Sequence, residues 1–294
     1  MRNVTLEELL EAGSHFGHQV TRQNPKARDY IFEARDNIHI IDLAKTKEGL
    51  DEAAVFVKSL AQKGGTMIIL GAKRQAEPIV KEQAKRVKEA GETGQGLYFV
   101  TNRWIGGILT NYPEVSKNFK KLRDLTKFMS TPSEKARFTK KEISLMERER
   151  AKLESFYWGV VDMPKLPDAV FIIDTHLEDL AVREARAMHV TTVGITDTNA
   201  DPTIIDYAIP ANDDAVGSVQ LILTHIVDAW IEGADERMRG ARLQAEGADK
   251  GGSKSAAETK EAPVEKKPEA KETKKVEVAA PAKTEEKKTK PTTK

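Results

Sequence analysis

Short apolar segments alternate with amphipathic helical segments along most of this chain, and this alternation restricts the fold more than any other feature. The predicted strands are residues 37–43, 66–70, 97–100, 169–174, 191–196 and 207–209, and the predicted helices are 5–12, 46–62, 75–90, 177–188 and 214–231. Nearly continuous apolar runs are typical of strands covered on both faces. Such alternation predicts right-handed crossovers and a mainly parallel sheet with helices on both faces. We therefore predict one α/β domain over about residues 1–232.

A basic segment interrupts the alternation between the third and fourth predicted strands. Residues 101–152 contain thirteen lysines and arginines against six acidic residues, whereas the whole chain of 294 residues has a net charge of +1. Two stretches in this segment repeat apolar residues every three or four positions, and turn-forming residues 130–133 separate them. Thr139 and Glu142 fit a capping box at the start of the second stretch. We predict an inserted antiparallel helical hairpin of coiled-coil character over about residues 111–158.

The charge of this hairpin indicates contact with a polyanion. Charge of one sign on one element is not cancelled by the rest of the chain, because salt screens interactions beyond roughly 8–10 Å. Nucleic-acid binding is therefore our leading interpretation. A solvated hairpin that binds nothing is the alternative, since lysine also favours surface helices. The candidate RNA-binding side chains of the hairpin are Lys117, Lys120, Lys121, Arg123, Lys140 and Lys141.

Two loops that follow predicted strands add three further candidates. Lys73 and Arg74 follow the strand at 66–70, and for them RNA-phosphate contact and simple exposure are both open. Arg103 is predicted to contact phosphate, whereas Trp104 is predicted to fill the core beneath the hairpin, with base stacking as the alternative. Neither loop contains a P-loop, and the glycines at 91–96 do not match the dinucleotide fingerprint.

Histidine and aspartate residues that could serve an enzyme or bind a metal occur in this chain, but they do not form a complete catalytic or metal-ligand motif. His15 and His18 share a face only if their segment is helical, and they lack a defined third ligand. Asp197 and Asp201 either hold a hard cation or form a turn. We expect no catalytic residue, no metal and no cofactor. The alternative is an enzyme that binds a nucleotide or sugar phosphate at the switch point of the sheet, with Asp197 and Asp201 as metal ligands.

Composition bears on the compartment and on the C-terminal segment. The chain has no cysteine, no apolar run long enough to span a bilayer and no apolar leader core, so we expect a cytoplasmic protein without a membrane partner. Residues 233–294 lack aromatic side chains and are rich in Ala, Glu, Lys, Pro and Thr. Such a segment cannot bury enough apolar surface to offset the entropy of ordering. We predict a tail that is disordered beyond about residue 240 and acts as a solvated spacer, with a docking tail as the alternative.

Seven segments, taken in order, resemble a known family. They are LLEAGSHFGH (9–18), NPK (24–26), YIF (30–32), NRWIGGILTN (102–111), LPDAVFIID (166–174), DTNADP (197–202) and IPANDDA (209–215). In these segments the chain resembles the bacterial-type small-subunit ribosomal protein S-two family. The resemblance covers about residues 3–232 and leaves the tail outside.

This resemblance implies a flavodoxin-like α/β domain with a protruding helical hairpin. It also implies a structural role in the small ribosomal subunit, where the chain binds ribosomal RNA and has no catalytic role. Neighbouring small-subunit proteins are implied as partners, including ribosomal protein S-one, which captures messenger RNA during translation. No motif identifies the residues of that protein-contact face.

Overall fold

The N-terminal part of the chain forms a small sheet of its own. The computed structural model describes residues 2–251, apart from the side chains of residues 134 and 244–251. Strands β1 (Phe16–Gln19), β2 (Ile31–Arg35) and β3 (Ile38–Ile41) pair antiparallel in the order β1-β3-β2. The sequence patterns missed β1 and β2, and the strand predicted at 37–43 lies in this sheet instead of the parallel one. Asp36 and Asn37 join β2 to β3 with positive φ angles of 51° and 62°, as a two-residue hairpin turn requires.

The main sheet has five strands, and all of its pairings are parallel. These strands are β4 (Met67–Leu70), β5 (Leu97–Val100), β6 (Ala169–Ile172), β7 (Thr191–Thr196) and β8 (Tyr207–Pro210), in the order β5-β4-β6-β7-β8. All residues of β4 and β6 are buried, as expected for central parallel strands. The predicted parallel sheet is confirmed, and the arrangement is consistent with a flavodoxin-like α/β fold.

Helices cover both faces of this sheet, which confirms the predicted layers. They are α1 (Leu6–Glu11), α2 (Leu43–Gln62), α3 (Ala76–Glu89), α4 (Tyr112–Ser130), α5 (Pro132–Lys135), α6 (Lys140–Tyr157), α7 (Asp179–Ala187) and α8 (Val216–Gly251). Alternate residues of β4 face two different cores: Met67 and Ile69 pack with α2, α3 and α8, whereas Ile68 and Leu70 pack with α7 and the base of α4. Within residues 2–251, no helix combines the length and apolarity needed to cross a membrane.

Helix α8 corrects the predicted start of the disordered tail. The described part of this helix runs from Val216 to Gly251, whereas the apolar pattern predicted its end at residue 231. Ala234 is 1% exposed, and Lys58 of α2 lies 3.0 Å from Glu232 and 2.8 Å from Glu236. Packing and ion pairs against α2 therefore support helix beyond the predicted end at residue 231. Residues 252–294, for which we predicted disorder, lie outside the described residues.

Helices α4 and α6 form the predicted antiparallel hairpin, with the short α5 near its tip. Phe119 packs edge to face on Tyr157 near the base, at 5.3 Å between ring centroids, and Phe128 packs on Phe138 near the tip, at 5.2 Å. The capping box predicted at Thr139 is present at the start of α6. After α6 the chain returns to the sheet edge, where the Gly159 carbonyl accepts a hydrogen bond of 3.0 Å from the Phe99 amide of β5.

Candidate nucleic-acid interface

The hairpin of α4 and α6 presents its predicted RNA contacts to solvent. All six candidates are exposed: Lys117, Lys120, Lys121, Arg123, Lys140 and Lys141. Lys117 lies 2.6 Å from Glu114, and Lys121 pairs with Glu149. The other four form no salt bridge with the side chains that the structure describes. Their charges are therefore available to an anionic partner.

The apolar stripe of α4 explains why these cations point outward. Val115, Phe119 and Leu122 are buried at the hairpin base, so the remaining faces of the helix carry the charged residues. Exposed ion pairs such as Lys117 with Glu114 contribute only about 0–1 kcal/mol to stability. A phosphate group can therefore replace the glutamate at little energetic cost.

A buried carboxylate on α7 fixes the loop from which the hairpin departs. Glu184 is 6% exposed and accepts hydrogen bonds at Oε1 from Trp104 Nε1 at 3.3 Å and from the Gly107 amide at 2.8 Å. At Oε2 it accepts from the Leu109 amide at 3.2 Å, the Thr110 amide at 3.3 Å and the Thr110 hydroxyl at 3.2 Å. All these donors lie on the loop that leads into α4. One side chain therefore holds the base of the hairpin in a defined direction.

Trp104 fills the core beneath the hairpin, as predicted. Its side chain is 3% exposed and packs in the core cluster that includes Ile108. Sequence reasoning missed its partner Glu184, because an isolated glutamate in an amphipathic helix usually faces solvent. The position of Glu184 in its helix could have indicated that it is buried. It lies three residues after Ala181 and beside Ala185, on the apolar stripe of α7.

Lys73 lies in a polar cluster at the carboxyl edge of the parallel sheet and is not an open phosphate ligand. Its Nζ is 2.6 Å from Asp214, 2.9 Å from Asp213 and 3.1 Å from Asp174, and its side chain is 16% exposed. Burial lowers the pKa of Lys73, but the three carboxylates outweigh burial and raise it above its ordinary value. The charge of Lys73 is therefore balanced within the protein, which argues against RNA-phosphate contact at this residue.

His18 joins the same cluster from β1. Its Nδ1 lies 3.1 Å from an oxygen of Asp197, and its Nε2 lies 3.6 Å from an oxygen of Asp214. The hydrogen bond to Asp197 raises the pKa of His18, burial opposes this shift, and the charges of Asp197, Asp213 and Asp214 raise it further. The protonated imidazole is therefore favoured in this position.

Asp213 is the most enclosed carboxyl group that contacts Lys73. Burial raises its pKa to about 7, with further increases from Asp174 and Asp197, whereas Lys73 lowers it. One of its oxygens is buried without a hydrogen-bond partner among the described residues. The cluster thus gathers several carboxylates around one ammonium group and one imidazole, and this surplus of negative charge repels phosphate.

Three ligand atoms of this cluster are close enough to share a metal ion. In the described part of the chain, His18, Asp213 and Asp214 each offer one atom within 4.8 Å of the others. The ammonium group of Lys73 already contacts both aspartates. A divalent cation would therefore have to compete with an internal positive charge.

The two residue pairs considered for metal binding, His15 with His18 and Asp197 with Asp201, have different local surroundings in the structure. His18 lies on a strand and His15 directly before it, so they do not share a helical face. Burial lowers the pKa of His15. Asp201 lies 2.6 Å from Lys26 and caps a short 3-10 helix, whereas Asp197 contacts His18. Asp197 and Asp201 thus take part in separate local hydrogen bonds, which agree with the turn interpretation that the sequence left open.

Arg74 and Arg103 lie in loops at the carboxyl edge of the sheet, and both are exposed. Burial raises the pKa of Glu178 to about 7, Asp174 raises it further, and Arg103 lowers it. Arg103 therefore interacts with Glu178 while its side chain remains open to solvent. Both arginines remain candidates for phosphate contact.

Comparison with known proteins agrees with this architecture. A family model described as Ribosomal protein S2 matches residues 9–233, which include the small sheet, the parallel sheet and the hairpin. The small ribosomal subunit protein uS2 of Acidobacterium capsulatum is 42% identical to this chain over 233 residues, which is 79% of this chain and 74% of that relative. On these matches, the chain belongs to the ribosomal protein S2 family.

Proposed function

We propose that this protein is a structural constituent of the small ribosomal subunit in the cytoplasm and that its hairpin binds the backbone of ribosomal RNA. The observation that carries this proposal is the set of exposed cations on α4 and α6 that form no salt bridge with the side chains that the structure describes. The nineteen residues of α4 extend about 28 Å, and the exposed cations lie along this length and at the start of α6. Lysine and arginine contacts to phosphate supply sequence-independent affinity.

The α/β body serves as a rigid base for this contact. Glu184 fixes the hairpin loop, and Arg74 and Arg103 add exposed cations at the carboxyl edge of the sheet. Phosphate contacts position a protein without reading bases. Specificity therefore comes from the shape of the folded RNA and from neighbouring proteins.

An enzyme that binds a nucleotide or sugar phosphate is the weaker alternative. Its substrate would enter at the carboxyl edge of the sheet, where Lys73 is surrounded by Asp174, Asp213 and Asp214. These carboxylates repel an anionic substrate. We therefore propose no catalytic role for this edge.

Salt-dependent RNA binding tests the role of the hairpin. We expect replacement of Lys120, Lys140 and Lys141 by glutamine in the full chain to lower the slope of log K against log salt by about 2–3, because each phosphate contact contributes about 0.7 on single strands and about 0.9 on duplex DNA. The probe is purified small-subunit ribosomal RNA. A matched variant replaces Arg35, Lys47 and Lys63 on the body. Equal slopes for the two triple variants would contradict the proposal.

A protein-contact face is supported by exposed apolar residues near the N-terminus. Phe16 is 48% exposed, Val20 39%, Phe32 71% and Ile38 37%. Phe16 and Ile38 lie on strands that pair within the small sheet. Phe32 lies on strand β2 of the same sheet, and several exposed apolar residues on one small sheet are typical of a protein interaction site. We propose that this patch contacts neighbouring small-subunit proteins, with ribosomal protein S-one as the partner that the family resemblance implies.

A further inference from the structure

A second basic surface lies at the side of the hairpin base and includes Arg123 of the hairpin. Two cavities of about 670 and 620 Å³ lie there. The first lies between α3 and α6, and the second lies beside α4. Lys88, Glu154 and Trp158 line both cavities, so the two form one continuous depression, which we name the Trp158 groove.

Positive charge predominates along the Trp158 groove. Its cationic lining residues are Lys81, Lys85 and Lys88 of α3 and Arg123 and Lys127 of α4. The lysines of α3 follow a four- and three-residue spacing, which places them along one helix face. Glu77 lies 2.7 Å from Lys81, Lys85 lies 4.0 Å from Glu89, and Glu154 lies 2.7 Å from Arg150. The five cationic and two acidic lining residues still leave a surplus of three positive charges. The groove is therefore complementary to a chain of negative charges.

Trp158 provides a fixed aromatic surface in this groove. Its indole N–H donates a hydrogen bond of 2.9 Å to the Thr101 hydroxyl, and its ring stacks with Phe99 at 6.5 Å between centroids. Lys88 Nζ lies 5.6 Å from the ring centroid. The other two tryptophans, Trp104 and Trp230, are 3% and 1% exposed, whereas Trp158 is half-buried. Trp158 is thus the tryptophan that a ligand can reach.

We propose that the Trp158 groove binds an unpaired segment of RNA, with phosphates along Lys81, Lys85 and Lys88 and a base against Trp158. A basic groove with an aromatic platform is the arrangement used for single strands, because stacking accepts any base. A continuous RNA duplex keeps its base faces covered, and an acidic peptide satisfies the lysines without supplying a ring. This inference rests on the proposed function and adds to it a second RNA site, one that binds single-stranded RNA.

Intrinsic fluorescence of the full chain tests the aromatic contact. An eight-nucleotide single-stranded oligouridylate is expected to quench the emission, and Trp158→Phe is expected to remove most of this quenching. Trp158→Ala should weaken binding of the labelled oligonucleotide by about 5- to 150-fold, which corresponds to a stacking contribution of about 1–3 kcal/mol. Trp158→Phe keeps a ring and should bind with affinity near that of the parent chain. This conservative variant separates loss of stacking from loss of folding.

Charge variants test the backbone contact. Lys85→Gln with Lys88→Gln should lower the salt slope for the single strand by about 1.4, since each contact contributes about 0.7 on single strands. The control variant carries Lys47→Gln and Lys63→Gln and should keep the parent slope. Equal slopes for the two double variants would overturn the proposal.

Competing polyanions define the remaining outcomes. Failure of the single strand to quench Trp158, or equal quenching by an RNA duplex or by polyglutamate, would refute single-strand binding in the groove. If that happens while the hairpin triple variant still weakens binding of ribosomal RNA, the groove inference alone fails. If Trp158 is quenched as expected but the hairpin triple variant binds ribosomal RNA normally, the hairpin proposal alone fails.

Discussion

Replacement of Glu184 by glutamine tests whether one buried carboxylate holds the hairpin base. Each oxygen of Glu184 accepts at least two hydrogen bonds from the loop before α4. The amide group of glutamine must face one of these donor sets, so at least two buried donors lose their acceptor. At about 1–3 kcal/mol for each unsatisfied group, the free energy of unfolding should fall by about 2–6 kcal/mol. That is a large part of a typical total of about 5–15 kcal/mol.

Urea denaturation followed by tryptophan emission measures this loss, because Trp104 donates directly to Glu184. A chain of this size should also lose roughly 4 °C or more in Tm, at about 2–4 °C per kcal/mol. Arg183→Gln is the matched control, since Arg183 lies on the same helix and pairs only at the surface with Asp179. That control should change stability by about 0–1 kcal/mol. A Glu184→Gln variant as stable as the control would refute the reasoning.

Two further predictions concern the polar cluster and the apolar patch. Burial and neighbouring carboxylates raise the pKa of Asp213 from 3.8 to about 7, so the folded state binds this proton more tightly than the unfolded state. The free energy of unfolding that this proton contributes is present at acid pH and is lost as the pH rises through about 7. Urea titrations at about pH 5 and 8 should therefore show a larger loss of stability in the parent chain than in Asp213→Asn. Equal losses in the two proteins would contradict this assignment. Phe32→Ser should weaken capture of purified ribosomal protein S-one. Val55 on α2 is 62% exposed, and the control variant Val55→Ser should not weaken this capture. Equal capture by the two variants would count against the patch.

The parallel sheet and the hairpin could be predicted because both depend on nearby residues. Strands β5 and β7 coincide with the predicted segments 97–100 and 191–196. Thr139 and Glu142 are three residues apart, as in a capping box, and this spacing identifies the start of α6. Periodicity and capping are local properties, so no knowledge of strand order was needed.

The small sheet could not be found in the same way. Strand β2 has one partly buried residue followed by four exposed ones, so it lacks the alternation by which strands are recognised. Phe32 in this strand is 71% exposed. The pair Asp36 and Asn37 was the usable signal, because both residue types tolerate the left-handed backbone of a two-residue turn.

The role of Lys73 depends on residues far away in the chain. Its partners Asp174 and Asp213 are separated from it by 101 and 140 positions. Only the strand order places the ends of β4, β6 and β8 at one edge of the sheet. Sequence spacing therefore predicted a loop lysine but could not show that carboxylates would surround it.

The return of the chain after α6 protects the sheet from association with other chains. β5 is an outer strand, and its free side is a template on which a foreign strand can pair. The Gly159 carbonyl occupies the Phe99 amide on that side, and Trp158 stacks over the Phe99 ring. The segment that returns from the inserted arm therefore also covers part of an edge on which a foreign strand could pair.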